Sequence, residues 1–260
     1  MPLIGLLTVA AIWLALAMAG AWALQRATRN CGWVDAVWSL ATGLGAAFAA
    51  IGGTPGRAPL AAAMAVFWGV RLAWHIARRT RGAPEDRRYA AFRHDWGAAF
   101  ERRLFLFLMV QAAAAWVLVA SVAIAARNPT PFPAPGDAAG AALLLISVAG
   151  EGLADAQMQR FRSRRTGGVC QEGLWAWSRH PNYFFEFLAW CAYPLLGMSA
   201  AYPQGALAIA APVLMFFLLR YVSGVPPLEK SMLERRGDAF RAYQARVSAF
   251  FPLPPKRTTP

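Results

Sequence analysis

Histidine and cysteine are scarce in this chain, with three of each in 260 residues. Cys31, Cys170 and Cys191 make no even framework for disulfides, so reduced, unpaired thiols are expected. No Cys or His pair stands at metal-ligand spacing, and no structural zinc is expected. Acids are also few: 13 Asp and Glu stand against 26 Lys and Arg, for a net charge of +13. Internal repeats are lacking, and so is the apolar–polar alternation of half-buried strands. The hydrophobic residues, 58% of the chain, come instead in long runs.

Seven runs are long enough, or nearly so, to cross a bilayer core of about 30 Å as helices. They cover roughly 3–24, 34–52, 59–77, 104–126, 139–158, 182–199 and 204–222. The expected fold is therefore all-α, a polytopic membrane bundle of about seven helices in one domain over 1–250, with a loose tail at 251–260. The first run lacks a basic residue before Arg26 and is long for a signal core, so it reads as a retained helix.

Basic residues set the orientation. With the N-terminus outside, the cytoplasmic parts are 25–32, 78–103, 159–181 and the chain from 220. They hold 2, 8, 5 and 8 Lys or Arg, which is 23 of the 26. The outside loops hold Arg57 and Arg127, and Arg71 lies within the third run. This is the positive-inside pattern, with the C-terminus cytoplasmic. It accounts for the pI of about 10.9 without nucleic acid.

Polar residues inside apolar runs are the candidates for function, because they are costly in lipid and face a protein interior or a wet cavity. Asp35 and Trp38 share a face at the start of the second run, where an acid also suits a helix N-terminus. Arg71 either snorkels to the interface or binds an anion or pairs with a carboxylate in the bundle. In the loop 78–103, Pro84–Trp96 can form a short helix with acids in its first turn. Such a charge run reads as a solvated face or a contact to anionic lipid, and its Arg with Tyr89, Phe92 and Trp96 also suits a phosphorylated aromatic cofactor. The Pro-rich connector 128–136 suggests no chemistry. Glu151, Asp155 and Arg162 line one face over three turns. In Gly173-Leu-Trp-Ala-Trp-Ser-Arg-His-Pro-Asn-Tyr-Phe-Phe-Glu186, Pro181 fits a first helical turn and biases His180 to an extended conformation. Asn182 and Glu186, four apart, then share a face. Residues 163–168 are a basic, flexible connector. From Leu228 to Val247 the pattern is an amphipathic basic helix on the membrane surface, which Glu229 can cap. The acids and amides Asp35, Glu151, Asp155, Asn182 and Glu186 fall near cytoplasmic helix ends, with several arginines at that level. A charged cofactor entering from the cytoplasm and a lipophilic substrate entering from the bilayer would fit such a site.

The stretch from Gly173 to Glu186 resembles the C-terminal signature of steroid 5α-reductase-like membrane proteins, in particular their bacterial relatives. The likeness extends to Val34-Asp35-Ala-Val-Trp38, Glu85-Asp86-Arg-Arg-Tyr89, Ala154-Asp155-Ala-Gln and Ser223-Gly-Val-Pro-Pro-Leu-Glu-Lys230. It implies a seven-helix bundle in a bacterial cytoplasmic membrane that binds NADPH from the cytoplasmic side. Asp155, Arg162, Asn182 and Glu186 match cofactor-contacting positions. Arg179, His180, Tyr183 and Glu229 lie in the motifs that carry the likeness and join them as cofactor-binding candidates. Glu151 falls where those enzymes carry an Asn. The implied reaction reduces a carbon–carbon double bond conjugated to a carbonyl. Those enzymes place a catalytic Tyr on the third helix, where this chain has Ile76 flanked by His75. The catalytic candidates are accordingly His75, Tyr89 and Glu151. Arg-His-Pro-Asn-Tyr is also similar to an element of isoprenylcysteine and phospholipid methyltransferases, which use S-adenosylmethionine. These usually carry paired Glu after the last membrane helix, whereas this chain has Glu229-Lys230. A non-enzymatic scaffold would leave the convergent polar residues without purpose.

Overall fold

The computed structural model describes residues 2–164 and 167–256. Every regular element among them is helical. The α-helices are α1 (Leu3–Thr28), α2 (Gly32–Ala50), α3 (Arg57–Thr80), α4 (Arg87–Trp96), α5 (Phe100–Ala125), α6 (Pro135–Ser163), α7 (Pro181–Trp190), α8 (Ala192–Gly197), α9 (Ala210–Phe217) and α10 (Val225–Arg246). Among the described residues six stretches are long and apolar enough to cross a membrane: α1, α2, α3, the run Arg87–Ala125, α6 and the run Pro203–Arg246. The chain is an all-α membrane bundle.

The count departs from the seven runs read in the sequence. The segment expected at 182–199 is divided into α7 and α8. Pro194 has no N–H for the Trp190 carbonyl, and the ladder breaks at Cys191, whose N–H is shared by the carbonyls of Phe187 and Leu188 (3.3 and 3.1 Å). The last span is also irregular. A 3-10 turn over Pro203–Ile209 leads into α9, and a π turn over Leu218–Val222 follows it.

The chain forms two compact units, Met1–Ala141 with Tyr193–Ala211, and Ala142–Ala192 with Pro212–Pro260. In the first unit α2 and α3 pack backbone to backbone. A Cβ on Gly43 would lie 2.7 Å from the Ala65 carbonyl oxygen, and one on Gly69 would lie 2.8 Å from that of Ser39. Ser39/Gly43 thus faces Ala65/Gly69, the small-residue spacing that lets membrane helices approach closely. Tryptophans peg the remaining helices: Trp38 Nε1 donates to the Gln111 carbonyl (3.1 Å), and Trp22 Nε1 donates to that of Glu101 (3.1 Å).

One end of this unit is organised by Arg57, whose side chain is fully sealed from solvent. Its guanidinium grips Asp137 at both oxygens (Nε–Oδ1 2.6 Å, Nη2–Oδ2 2.7 Å) and also donates to the Asn128 carbonyl. Asn128 in turn donates to the Leu196 carbonyl (2.9 Å) and accepts from Ser199 Oγ (3.1 Å). The Pro-rich connector, read in the sequence as lacking chemistry, is the wall of this knot. At the other end α4 starts at Arg87 rather than among its acids: Asp86 is the N-cap, accepting from the Arg88 N–H (3.0 Å), and Glu85 precedes it to pair with Arg93 (2.9 Å).

In the second unit α10 starts three residues earlier than its apolar pattern suggests and kinks at Gly237, where φ is 49°. Its buried face, Phe240, Tyr243 and Val247, packs on Val169, Met232 and Leu233. The stripe read as membrane-facing is therefore spent partly on protein. Residues 165–166 of the basic connector, and the tail from 257, lie outside the described residues. Up to that point the tail is tied: the Leu253 N–H donates to the Trp177 carbonyl (3.0 Å), and that of Lys256 to the Arg246 carbonyl (2.9 Å).

Candidate functional site

The Gly173–Glu186 stretch lies wholly in the second unit, and its geometry grows from one glycine. Gly173 has φ 57°, in the left-handed region, and a Cβ there would meet the Gln157 side chain at 2.3 Å. The turn it makes lets the Leu174 N–H donate to Gln157 Oε1 (3.0 Å) and Trp175 Nε1 donate to the Ala154 carbonyl (3.0 Å). The loop is thereby stapled to α6. Its other side is held by the C-terminal segment. Tyr243 Oη donates to the Trp175 carbonyl (2.5 Å), Ser178 Oγ donates to that of Phe250 (2.8 Å), and the Arg179 N–H donates to that of Ser248 (2.9 Å).

Glu229 is the hub of the next layer. Its Oε1 accepts from Arg179 Nε (2.7 Å) and His180 Nε2 (3.0 Å), while Oε2 accepts from Arg179 Nη2 (3.2 Å) and Gln244 Nε2 (2.7 Å). The remaining Arg179 nitrogen donates to the carbonyls of Val247 (2.5 Å) and Gln244 (3.2 Å). Arg179 and Glu229 therefore saturate each other and brace the loop. Glu229 is more than a helix cap.

His180 is 3% exposed. Burial pushes its imidazole below the ordinary value, although the Glu229 carboxylate pulls it up. A neutral ring facing a carboxylate donates from Nε2, which leaves Nδ1 as the acceptor. That Nδ1 is buried without a hydrogen-bond partner. The ring stacks on Tyr183 (centroids 5.5 Å apart, planes at 9°). As the proline pattern predicts, α7 begins at Pro181, but His180 before it is not extended: at φ −139° and ψ 60° it lies outside both the helical and the extended regions.

On α7 the half-buried Asn182 makes no side-chain hydrogen bond among the described residues. Four residues on, buried Glu186 accepts from Trp190 Nε1 (3.1 Å). Helices α6 and α7 meet where Phe185 covers Gly150, whose added Cβ would lie 2.4 Å from the ring. Each glutamate follows one partner of this contact. Glu151 and Glu186 are 5% and 6% exposed, so two buried acids flank the helix–helix contact. Asp155 is half-buried one turn along α6, and Arg162 is exposed near its end.

The second unit thus holds Glu151, Asp155, Arg162, Arg179, His180, Asn182, Tyr183, Glu186 and Glu229. His75 and Tyr89 belong to the first unit. His75 is half-buried on α3. Tyr89 is fully buried, and its hydroxyl donates to Asp35 Oδ1 (3.2 Å), which also takes Arg88 (2.5 Å to Oδ2). Sequence reasoning missed Gln157, Gln244 and Tyr243. Nothing in a single sequence pairs Gln244 with Glu229 fifteen residues earlier. Trp190 was accessible, since it stands i+4 from Glu186.

No curated protein and no solved structure matches this chain. The family described as "Protein of unknown function (DUF1295)" matches residues 21–247, a stretch that takes in α2 to α10 and every residue of the Glu229 brace. Its reach over most of both units shows that the chain belongs to the DUF1295 family.

Proposed function

We propose that this protein is a membrane-embedded reductase that uses NADPH to reduce a carbon–carbon double bond conjugated to a carbonyl in a lipophilic substrate. The observation that carries the reading is the pairing of two polar groups at the start of α7: the buried, partnerless Nδ1 of His180 and the uncommitted amide of Asn182. An unsatisfied buried acceptor costs about 1–3 kcal/mol, so a ligand that offers a donor there is favoured. Ribose hydroxyls and the nicotinamide carboxamide are such donors, and the Asn182 amide can both give to and accept from a carboxamide. These residues fit a nicotinamide nucleotide, and the steroid-reductase resemblance of the same stretch supports that choice.

Bound NADPH would supply the hydride that goes to the β-carbon. The chain's own part is to orient the nucleotide through Asn182 and His180 and to keep water away with the aromatic wall of Tyr183 and Phe185. It also has to deliver a proton to the substrate. The Tyr89 hydroxyl already donates its hydrogen bond to Asp35, whereas Glu151 shares the second unit with Asn182. We therefore assign the proton to Glu151. A methyl donor would also satisfy His180, but its ammonium group calls for a free carboxylate. Both oxygens of Glu229 are taken by Arg179, His180 and Gln244, so Glu229 does not offer that carboxylate.

Thermal unfolding in detergent with each ligand separates the two chemistries. NADPH at 100 times its Kd should stabilise the protein by about 2.7 kcal/mol, and S-adenosylmethionine should leave it unchanged. Stabilisation by S-adenosylmethionine alone would reverse the assignment.

A further inference from the structure

The first unit carries a groove that the cofactor reading does not use. It runs along one face of α3, has a volume of about 660 Å³, and is lined by Ala63, Val66, Phe67, Val70, Arg71 and Trp74. Ala63 and Val66 line one part of the trough, and Val70 and Arg71 lie between Phe67 and Trp74. Its walls are nearly all hydrocarbon, and they are open: Val70 is 48% and Trp74 65% exposed. From Ala63 to Trp74 the helix rises about 16 Å, close to the roughly 15 Å depth of one leaflet's hydrocarbon, which is half of about 30 Å.

One end of the trough is charged. The Arg78 guanidinium sits over the Trp74 ring, 5.9 Å from its centroid. Arg78 makes no ion pair among the described residues. Arg79 beside it has only a loose contact with Asp86 (3.9 Å). Another six ångströms or so along α3 separate Trp74 from Arg78, which puts Arg78 at the level of a headgroup when Trp74 takes the interfacial place that tryptophan prefers. An apolar slot one leaflet deep that ends in a cation complements an anionic amphiphile along its whole length.

We propose that this face of α3 is a binding site for one anionic phospholipid, with an acyl chain along Ala63–Trp74 and the phosphate on Arg78. The site belongs to the first unit and stands whether or not the second binds a nucleotide. Its test is native mass spectrometry of the detergent-purified protein titrated with phosphatidylglycerol or phosphatidylcholine, on wild type, Arg78→Ala and Val70→Trp. Val70→Trp fills the trough from an exposed position, so the fold should survive it.

Wild type should retain phosphatidylglycerol in preference to phosphatidylcholine. Arg78→Ala should weaken phosphatidylglycerol binding about fivefold, the contribution of one basic residue near a membrane surface. Val70→Trp should lose bound lipid of either kind. Equal retention of the two lipids by wild type would overturn the headgroup assignment. Retention by Val70→Trp equal to wild type would overturn the groove.

Discussion

Arg57→Ala is expected to lower the stability of the detergent-solubilised protein by about 3–5 kcal/mol, the cost of breaking a fully buried ion pair from one side. Asp137→Ala should cost a similar amount, because it strands the arginine charge. The reason is geometric. Arg57 is sealed from solvent, holds Asp137 through two nitrogens, and satisfies carbonyls of the connector that follows α5. It thus fastens the first turn of α3 to the first turn of α6. Replacing both partners with apolar residues, Arg57→Met with Asp137→Leu, should cost less than either single change, since no charge is then left buried. For a chain of this size the single variants should melt lower by roughly 10 °C. A melting point within about 2 °C of wild type for Arg57→Ala would mean that the knot carries no stability.

The second large effect is expected at Glu229. Glu229→Ala removes the acceptor for three side chains at once and leaves the Arg179 charge with backbone carbonyls alone. The pair is slightly exposed (11% and 13%), so the loss should be about 2 kcal/mol, less than at Arg57. The same brace gives stability a pH dependence whose sign follows from His180. Its folded-state value is depressed by burial. Its contribution is therefore complete above the unfolded value of about 6.5 and is lost as the pH falls through the folded one. Between pH 6.5 and 5.5 the wild type should lose stability with a slope of at most about 1.4 kcal/mol per pH unit from this residue. His180→Gln should flatten that slope. Glu229→Ala should extend it to lower pH, because the carboxylate that raises the histidine is gone. Melts at pH 7.5, 6.5 and 5.5 on the three proteins measure this. Identical slopes in wild type and His180→Gln would contradict a neutral, buried imidazole.

Hydrophobic run length was enough to read most of the architecture from residues alone, since the lengths of α1, α2, α3, α5 and α6 follow directly from the cost of polar groups in lipid. It did not foresee the break within 182–199. A run of apolar residues shows burial but does not report the missing N–H of Pro194, and that proline divides the segment. The start of α7 was legible for the opposite reason: Pro181 fits a first helical turn and keeps His180 before it out of the helical region through covalent sterics, although His180 is not extended as expected. Asn182 and Glu186 follow from helical spacing once α7 is placed. What the residues could not reveal is long-range pairing. Arg57 and Asp137 are eighty positions apart, and each reads singly as an ordinary surface charge or a first-turn acid. Arg179 and Glu229, fifty apart, were both singled out, yet their bond to each other is a property of the fold. Gly150 offered no signal either, because only the Phe185 ring lying on it explains the missing side chain.

The central claim is that the start of α7, set against α6, holds a nicotinamide nucleotide. The most direct measurement is a fluorescence titration of NADPH against purified wild type and Asn182→Ala, with folding of the variant checked by its unliganded melting point. Wild type should bind in the low-micromolar range and the variant about tenfold more weakly, the loss of roughly 1.4 kcal/mol from one well-placed polar contact. Equal affinity in both proteins, or no binding by either, would contradict the claim.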